Sequence, residues 1–222
     1  MSTIAPSEPM TSLADPGWIP WPLYRLTLDQ YEAMVASGVF SGRERFHLIN
    51  GFLVAKMTQN DLHATADELC GDALGRTIPA GWHVRAAKPI RIPSQASKPE
   101  PDRCVARGSI RDYLQRSPEP SDIALVVEIS DSSLSEDRKQ AAIYAAGGIP
   151  VYWIVNLVDR QLEVYADPSP SGYRSRQDYH AGESIPISIG GNQLSPIVLN
   201  DRLNPLQATR LQPLPTLRAW AR

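Results

Sequence analysis

The chain has 222 residues, of which 42% are hydrophobic, and this is typical of one globular domain with additional arms. Its formal net charge of −2 excludes a uniformly basic nucleic-acid coat protein but allows a local basic cleft. Cys70 and Cys104 are too few for a disulfide scaffold and lack metal-site spacing, so we expect buried free thiols. There is no apolar run of transmembrane length or signal-peptide type, which predicts a cytoplasmic protein without a membrane partner.

The sequence divides into three predicted parts. Residues 1–24 are a proline-containing N-terminal arm, and residues 25–180 form a domain that carries the predicted helices and strands. Residues 181–222 are a C-terminal extension with short β segments and a tail rich in proline and leucine.

The first elements in chain order are a helix and a hairpin. The helix begins after Thr27, which forms a capping box with Gln30. Residues 46–57 predict a β-hairpin, because Asn50 and Gly51 form the strongest short-range hairpin signal.

Two histidines lie near these elements. His47 is on the first hairpin strand, where a lone histidine is more often structural than a ligand. A second helix is predicted over residues 61–76 with Asp61 as its N-cap, and His63 falls in its first turn. An isolated histidine at that position predicts a surface side chain rather than a catalytic one. Residues 82–92 then predict a strand.

The most informative stretch is residues 123–139. Its apolar run, 123–127, predicts a strand buried on both faces, and this strand ends in Glu128. An ionised carboxylate in such a place needs a partner, because removing a charge from water is costly. A helix follows, with Ser135 as its predicted N-cap and Lys139 near its start. The residues alone leave two interpretations open, a functional site or a plain Glu128–Lys139 ion pair.

The remaining elements are mostly strands. The helix is predicted to stop at residues 147–148, where two glycines occur. An apolar strand over 151–155 and an alternating strand over 161–165 follow, and a further hairpin is expected around 169–172.

Asp102, Glu128 and Lys139 form a candidate site for phosphodiester hydrolysis. Mg²⁺ needs one or two carboxylates held on rigid elements, with the remaining positions left to water and phosphate. Such a metal activates water and offsets the charge on a scissile phosphate, and a nearby lysine stabilises the charged transition state. These residue types fit that chemistry, although their spacing in the sequence is loose.

Several short motifs also follow one another in a particular order. They are Leu48-Ile49-Asn50-Gly51 followed by His63, Pro101-Asp102, Glu128-Ile129-Ser130, Asp137-Arg138-Lys139, Tyr144, Gly148-Ile149-Pro150 and Tyr152-Trp153-Ile154-Val155. In this order they resemble the Uma-type restriction endonucleases, whose broader signature is PD…(D/E)xK, over roughly residues 25–167. The resemblance implies an α/β restriction-endonuclease-like fold, with a mixed central β-sheet flanked by helices. It also implies cleavage of DNA that depends on Mg²⁺ or Mn²⁺.

The resemblance assigns roles to individual residues. Asp102 and Glu128 are the implied metal ligands, and Ser130 stands where the signature has its lysine. Lys139 is therefore the candidate for that lysine, with Lys88 as the second choice. We expect His47, His63 and Ser130 to lie around the metal. A homodimer is a further expectation, because double-strand cutting often requires two active sites.

The first hairpin strand departs from the family pattern. The family has glutamate in the sequence E-L-I-x-G at the position where this chain has His47. Histidine removes a negative charge and replaces a hard oxygen with a borderline nitrogen. His47 is compatible with Mn²⁺ binding or with water positioning, but also with weak Mg²⁺ binding and lost cleavage. A catalytically impaired DNA- or protein-binding module on the same fold is therefore the alternative function.

Overall fold

The computed structural model describes residues 22–40, 45–56 and 58–198. Most of the predicted N-terminal arm, residues 1–21, and the predicted proline- and leucine-rich tail from residue 199 lie outside these ranges. The division into three parts therefore stays a prediction. No helix within the described ranges is long and apolar enough to cross a membrane.

The helices and strands of the described ranges follow one another in this order: α1 (Leu28–Ala36), β1 (Phe46–Ile49), β2 (Phe52–Ala55), α2 (Asp61–Thr77), β3 (Trp82–Ala86), β4 (Arg103–Arg107), β5 (Ile123–Ser130), α3 (Leu134–Gly147), β6 (Val151–Asn156), β7 (Gln161–Ser169), β8 (Gly172–Tyr179), β9 (Ser184–Ile185), β10 (Ser188–Ile189), β11 (Asn192–Gln193) and β12 (Ile197–Val198). The short β segments expected after residue 180 are β9 to β12.

A six-stranded mixed sheet with the order β3-β4-β5-β6-β7-β8 forms the centre of the fold. Only β5 and β6 run parallel, and α3 connects them across one face, as a parallel pair requires. The other neighbours are antiparallel. The predicted mixed central sheet is therefore confirmed.

Helices cover both faces of this sheet. Leu125 and Val127 of β5 pack in the cluster that contains α2, whereas Val126 packs in the cluster that contains α3. Every residue of β5 is buried, which explains why its sequence is a continuous apolar run rather than an alternation. Residue Glu128 lies on the α3 side, because side chains along a strand alternate between faces.

The β1–β2 hairpin forms a separate two-stranded sheet. Asn50 and Gly51 make its turn with φ of 49° and 80°, so the predicted hairpin is confirmed. The hairpin attaches to the rest of the domain through main-chain hydrogen bonds from Lys98 to Leu48 and from Gly51 to Ala96.

Other local predictions have mixed outcomes. The Thr27 capping box is confirmed, and Cys70 and Cys104 are buried free thiols. The predicted end of the strand at Glu128 is wrong, because pairing with β6 continues through Ser130.

The predicted N-caps of two helices are each displaced by a residue or two. Helix α3 begins at Leu134 after Ser133, not after Ser135. Helix α2 is capped by Asn60 rather than Asp61, and the Asn60 side chain accepts the hydrogen bond of the His63 main-chain N–H. For α2 the Asn60 side chain takes the cap in place of Asp61. The hydroxyl of Ser133 instead donates to the Asp137 carboxylate and makes no cap hydrogen bond.

The strand predicted over residues 82–92 is also shorter than expected. It ends at Ala86, because Ala87 has φ of 46° and its N–H donates to the main-chain carbonyl of Asp102. The chain beyond it turns under α3, where Ile90 and Ile92 are buried.

An ion pair joins α2 to β4. Arg103 donates two hydrogen bonds to Asp67, with Nη2 2.7 Å from Oδ2, and both side chains are mostly buried. The guanidinium passes over Gly71, where an added Cβ would lie 2.6 Å from Arg103 Nη1. Glycine at this helical position therefore makes room for the pair.

We expect Gly71→Ala to destabilise the fold by about 1–3 kcal/mol, because the new methyl group displaces the paired guanidinium. Gly75→Ala is the matched control on the same helix, since nothing lies within 4 Å of its Cβ position. Alanine there should stabilise the helix by up to about 1 kcal/mol. Urea unfolding midpoints measure both changes, and equal midpoints for the two variants would contradict the prediction.

Candidate functional site

A cavity of about 510 Å³ lies between the β1–β2 hairpin, the start of α2 and the first turns of α3. Its lining includes His47 and Lys56 from the hairpin side, His63 from α2 and Lys139 from α3. Asp102 and Glu128 also line it, and each of these two residues is only 6–7% exposed. Four elements distant in sequence thus converge on one concave site.

Two main-chain hydrogen bonds hold Asp102 and Glu128 together. The main-chain N–H of Asp102 donates to Glu128 Oε2 at 3.1 Å, and that of Ile129 donates to Asp102 Oδ2 at 2.8 Å. This exchange follows from the register of β4 and β5, in which Arg103 faces Val127. Neighbouring strands therefore place the two carboxylates side by side.

The surroundings of Glu128 disfavour its charged form. Burial raises the pKa of Glu128 well above its usual value, and the charges of Asp102 and Asp137 raise it further. Hydrogen bonds from the Asp102 N–H and the Tyr144 hydroxyl act in the opposite direction. Burial likewise raises the pKa of Asp137 to about 6. A bound cation would reverse these shifts, because it favours ionised carboxylates.

His63 is buried, so the expected surface position is wrong. Its Nε2 atom lies 3.2 Å from Asp102 Oδ2. The Asn60 cap lies three residues earlier and accepts the main-chain N–H of His63, so His63 lies in the first turn of α2. Burial lowers the pKa of His63, but its contact with Asp102 and that carboxylate's charge raise it, and the net shift is upward.

The two lysines of the sequence analysis differ in position. Lys139 is exposed and lines the cavity, whereas Lys88, also exposed, is absent from the lining formed by the described residues. Glu128 and Lys139, both in the described part of the chain, do not form an ion pair, so that interpretation is wrong. Glu128 instead accepts hydrogen bonds from the Asp102 N–H and the Tyr144 hydroxyl.

His47 and Ser130 also differ in position. His47 lines the cavity, and its buried Nδ1 atom has no hydrogen-bond partner within the described part of the chain. Burial and the charge of Lys56 lower the pKa of His47, so its imidazole is neutral at neutral pH. Ser130 is fully buried in β5 and is not among the described residues that line the cavity.

Sequence reasoning missed three side chains of the site. Gln59 Nε2 donates to Asp102 Oδ1 at 2.8 Å, and no sequence signal marks it. Tyr144 donates to Glu128 and lies in a matched motif, but the motif assigned it no role. Lys56 follows Val54 by two residues, and Val54 pairs with His47, so hairpin register alone could have placed Lys56 on the His47 side.

The donor set fits a hard divalent cation. Asp102, directly before β4, and Glu128, in β5, supply adjacent carboxylate oxygens, the kind of site at which Mg²⁺ keeps water and phosphate as its other ligands. The described residues contain no group of three or more His, Cys, Asp and Glu side chains placed to hold a metal ion. Solvent or substrate must therefore complete any coordination shell here.

In the metal-free protein we expect the pKa of His63 above 6.5 and that of His47 below it. Asp102→Asn removes the charge that raises the pKa of His63, so this value should fall while that of His47 stays unchanged. NMR titration of the imidazole signals measures both values, and His47 serves as the internal control. An unchanged His63 titration in the variant would show that the His63–Asp102 contact does not form in solution.

The raised pKa of His63 also makes the stability of the fold depend on pH. Because its folded-state pKa is raised, His63 stabilises the fold fully below pH of about 6.5. This contribution is lost as the pH rises through the folded-state pKa.

Comparison with known proteins identifies the family. A family model named Uma2 and described as "Putative restriction endonuclease" matches residues 28–196. The fold is similar to a crystal structure from Anabaena variabilis ATCC 29413, described as "a putative nuclease belonging to DUF820", with 14% identity and a TM-score of 0.57 over 80% of this chain and 97% of that one. No curated protein matches the sequence. Because the family match spans well over half of its length, the chain belongs to the Uma2 family.

Proposed function

We propose that this protein is a divalent-metal-dependent endonuclease that hydrolyses phosphodiester bonds in DNA. The buried Asp102–Glu128 pair carries this proposal, because two adjacent carboxylates in a cavity are costly without a cation. Among the described residues, only His63 brings a basic group within ion-pair distance of either carboxylate. Membership in the Uma2 family supports the same chemistry.

The residues of the cavity would have different roles in such a reaction. Asp102 and Glu128 would hold Mg²⁺ or Mn²⁺, which when bound would activate water and offset charge on the phosphate. His63 and Gln59 contact the two oxygens of Asp102 and fix its orientation. Lys139 lines the same cavity from α3, and its ammonium would stabilise negative charge that develops on the phosphate.

The charge of the cavity makes DNA binding depend on the cation. Its described lining carries more acidic than basic side chains: Glu100, Asp102, Glu128, Asp131, Glu136 and Asp137 against Arg25, Lys56 and Lys139. A phosphate backbone is repelled by this surplus until a divalent cation offsets it. Cutting both strands of a duplex often requires two such sites, so a homodimer is part of the same proposal.

We expect Glu128→Gln and Asp102→Asn each to reduce cleavage of supercoiled plasmid by a factor of about 100 or more, since each removes a charge that holds the metal. Lys139→Ala should reduce cleavage as well, whereas Lys88→Ala, outside the described lining, is the matched control with unchanged cleavage. EDTA should abolish the activity of the parent. Equal cleavage by Glu128→Gln and the parent would show that the activity is a contaminant or that the assignment of Glu128 is wrong.

A catalytically impaired DNA-binding module is the second candidate function. His47 favours it, because histidine lacks the negative charge and the hard oxygen ligand that the family pattern has at this position. This candidate binds DNA in a salt-sensitive manner but shows no turnover with Mg²⁺ or Mn²⁺. The plasmid assay and a salt titration of DNA affinity therefore distinguish the two functions.

His47 should bias the site toward Mn²⁺, because imidazole is a borderline ligand and carboxylate a hard one. We expect His47→Glu to raise Mg²⁺ affinity relative to Mn²⁺ affinity. His180→Glu adds the same charge at an exposed position away from the described lining and serves as the control. Calorimetric titration of both metals measures the ratio, and the same ratio in the two variants would exclude His47 from the metal site.

A further inference from the structure

We infer that Tyr144 is a positioning residue for the divalent cation, because its hydroxyl holds the Glu128 carboxylate in the orientation that receives the metal. This inference rests on the proposed function, since it assumes that Asp102 and Glu128 bind the cation. It adds a role for a residue of α3 that lies behind the carboxylates and does not line the cavity in the described part of the chain.

Two donors hold the two oxygens of Glu128. Tyr144 Oη donates to Oε1 at 2.9 Å, and the Asp102 N–H donates to Oε2 at 3.1 Å. Tyr144 is 0% exposed and Glu128 is 7% exposed, so water competes little for either bond. The carboxylate plane is therefore set by one side chain and one main-chain group, on different elements.

The hydroxyl proton of Tyr144 is directed toward Glu128. Gln140, one helical turn earlier and in the cavity lining, donates its amide N–H to Tyr144 Oη at 3.3 Å. The Tyr144 oxygen thus accepts one hydrogen bond and has its single proton left for Glu128. A donor aimed at a carboxylate stabilises the ionised form, which is the form that binds a cation.

The ring of Tyr144 cannot easily turn away from this contact. It packs against Tyr152, with ring centroids 5.0 Å apart, inside the cluster between α3 and the sheet. The glycine after α3, Gly148, ends the helix in a left-handed conformation, and the N–H of Ile149 donates back to the Tyr144 carbonyl. The ring and the main chain of Tyr144 are therefore both held in place.

The neighbouring tyrosines do not share this role. The hydroxyl of Tyr152 donates to the main-chain carbonyl of Asp137, and that of Tyr173 donates to the carbonyl of Ile149. Tyr152 is also 0% exposed, so removal of its hydroxyl perturbs the same core without touching Glu128. It provides a matched control for Tyr144.

The test is calorimetric titration of Mn²⁺ into the parent, Tyr144→Phe and Tyr152→Phe, after urea unfolding has shown that each variant folds. We expect Tyr144→Phe to bind Mn²⁺ about 10–100-fold more weakly than the parent, the loss typical of removing a hydrogen-bond partner of a metal ligand. Tyr152→Phe should match the parent. Plasmid cleavage should follow the same order.

The possible results separate the two proposals. Parent-like Mn²⁺ affinity in Tyr144→Phe, or an equal loss in both variants, would overturn the positioning role and leave the proposed function intact. No Mn²⁺ binding by the parent, either alone or with a DNA duplex present, would overturn both. If Tyr144→Phe does not fold, Gln140→Leu tests the same chain of hydrogen bonds from the cavity side: several-fold weaker binding supports the inference, and unchanged binding overturns it.

Discussion

The pairing of β4 with β5 is the constraint on which the site depends. Because Arg103 faces Val127, Asp102 lies beside Glu128 on the neighbouring strand. Each carboxylate accepts a different main-chain hydrogen bond, Glu128 from the Asp102 N–H and Asp102 from the Ile129 N–H. Burial on both faces of β5 then removes water from around Glu128. The same strand that builds the core therefore creates an electrostatic cost for the charged form of Glu128, which the proposed cation would offset.

Helix packing completes this arrangement from two sides. On one face, α2 brings His63 to Asp102 and is tied to the following residue through the Arg103–Asp67 pair. On the other face, α3 brings Tyr144 to Glu128. Each carboxylate thus has its own helix as a support, and the sheet between the helices fixes the distance between them.

The sequence predicts the elements of this site better than its contacts. The apolar run before Glu128 and the Asn50–Gly51 turn are local signals, so the buried strand and the hairpin could be read directly. The burial of His63 could not, because it depends on how α2 packs beside Asp102, which is distant in sequence. The role of Tyr144 likewise depends on how α3 crosses the sheet, and the hydrophobic pattern of the sequence does not predict this crossing.

The hairpin wall of the cavity differs from its other walls in how it is held. As a separate two-stranded sheet, β1–β2 lacks the neighbouring strands that protect β4 and β5 on both edges. Isolated hairpins are marginally stable, and native proteins open first where few strands cooperate. Amide hydrogens of this wall should therefore exchange with solvent through local opening, while those of β5 exchange only through global unfolding.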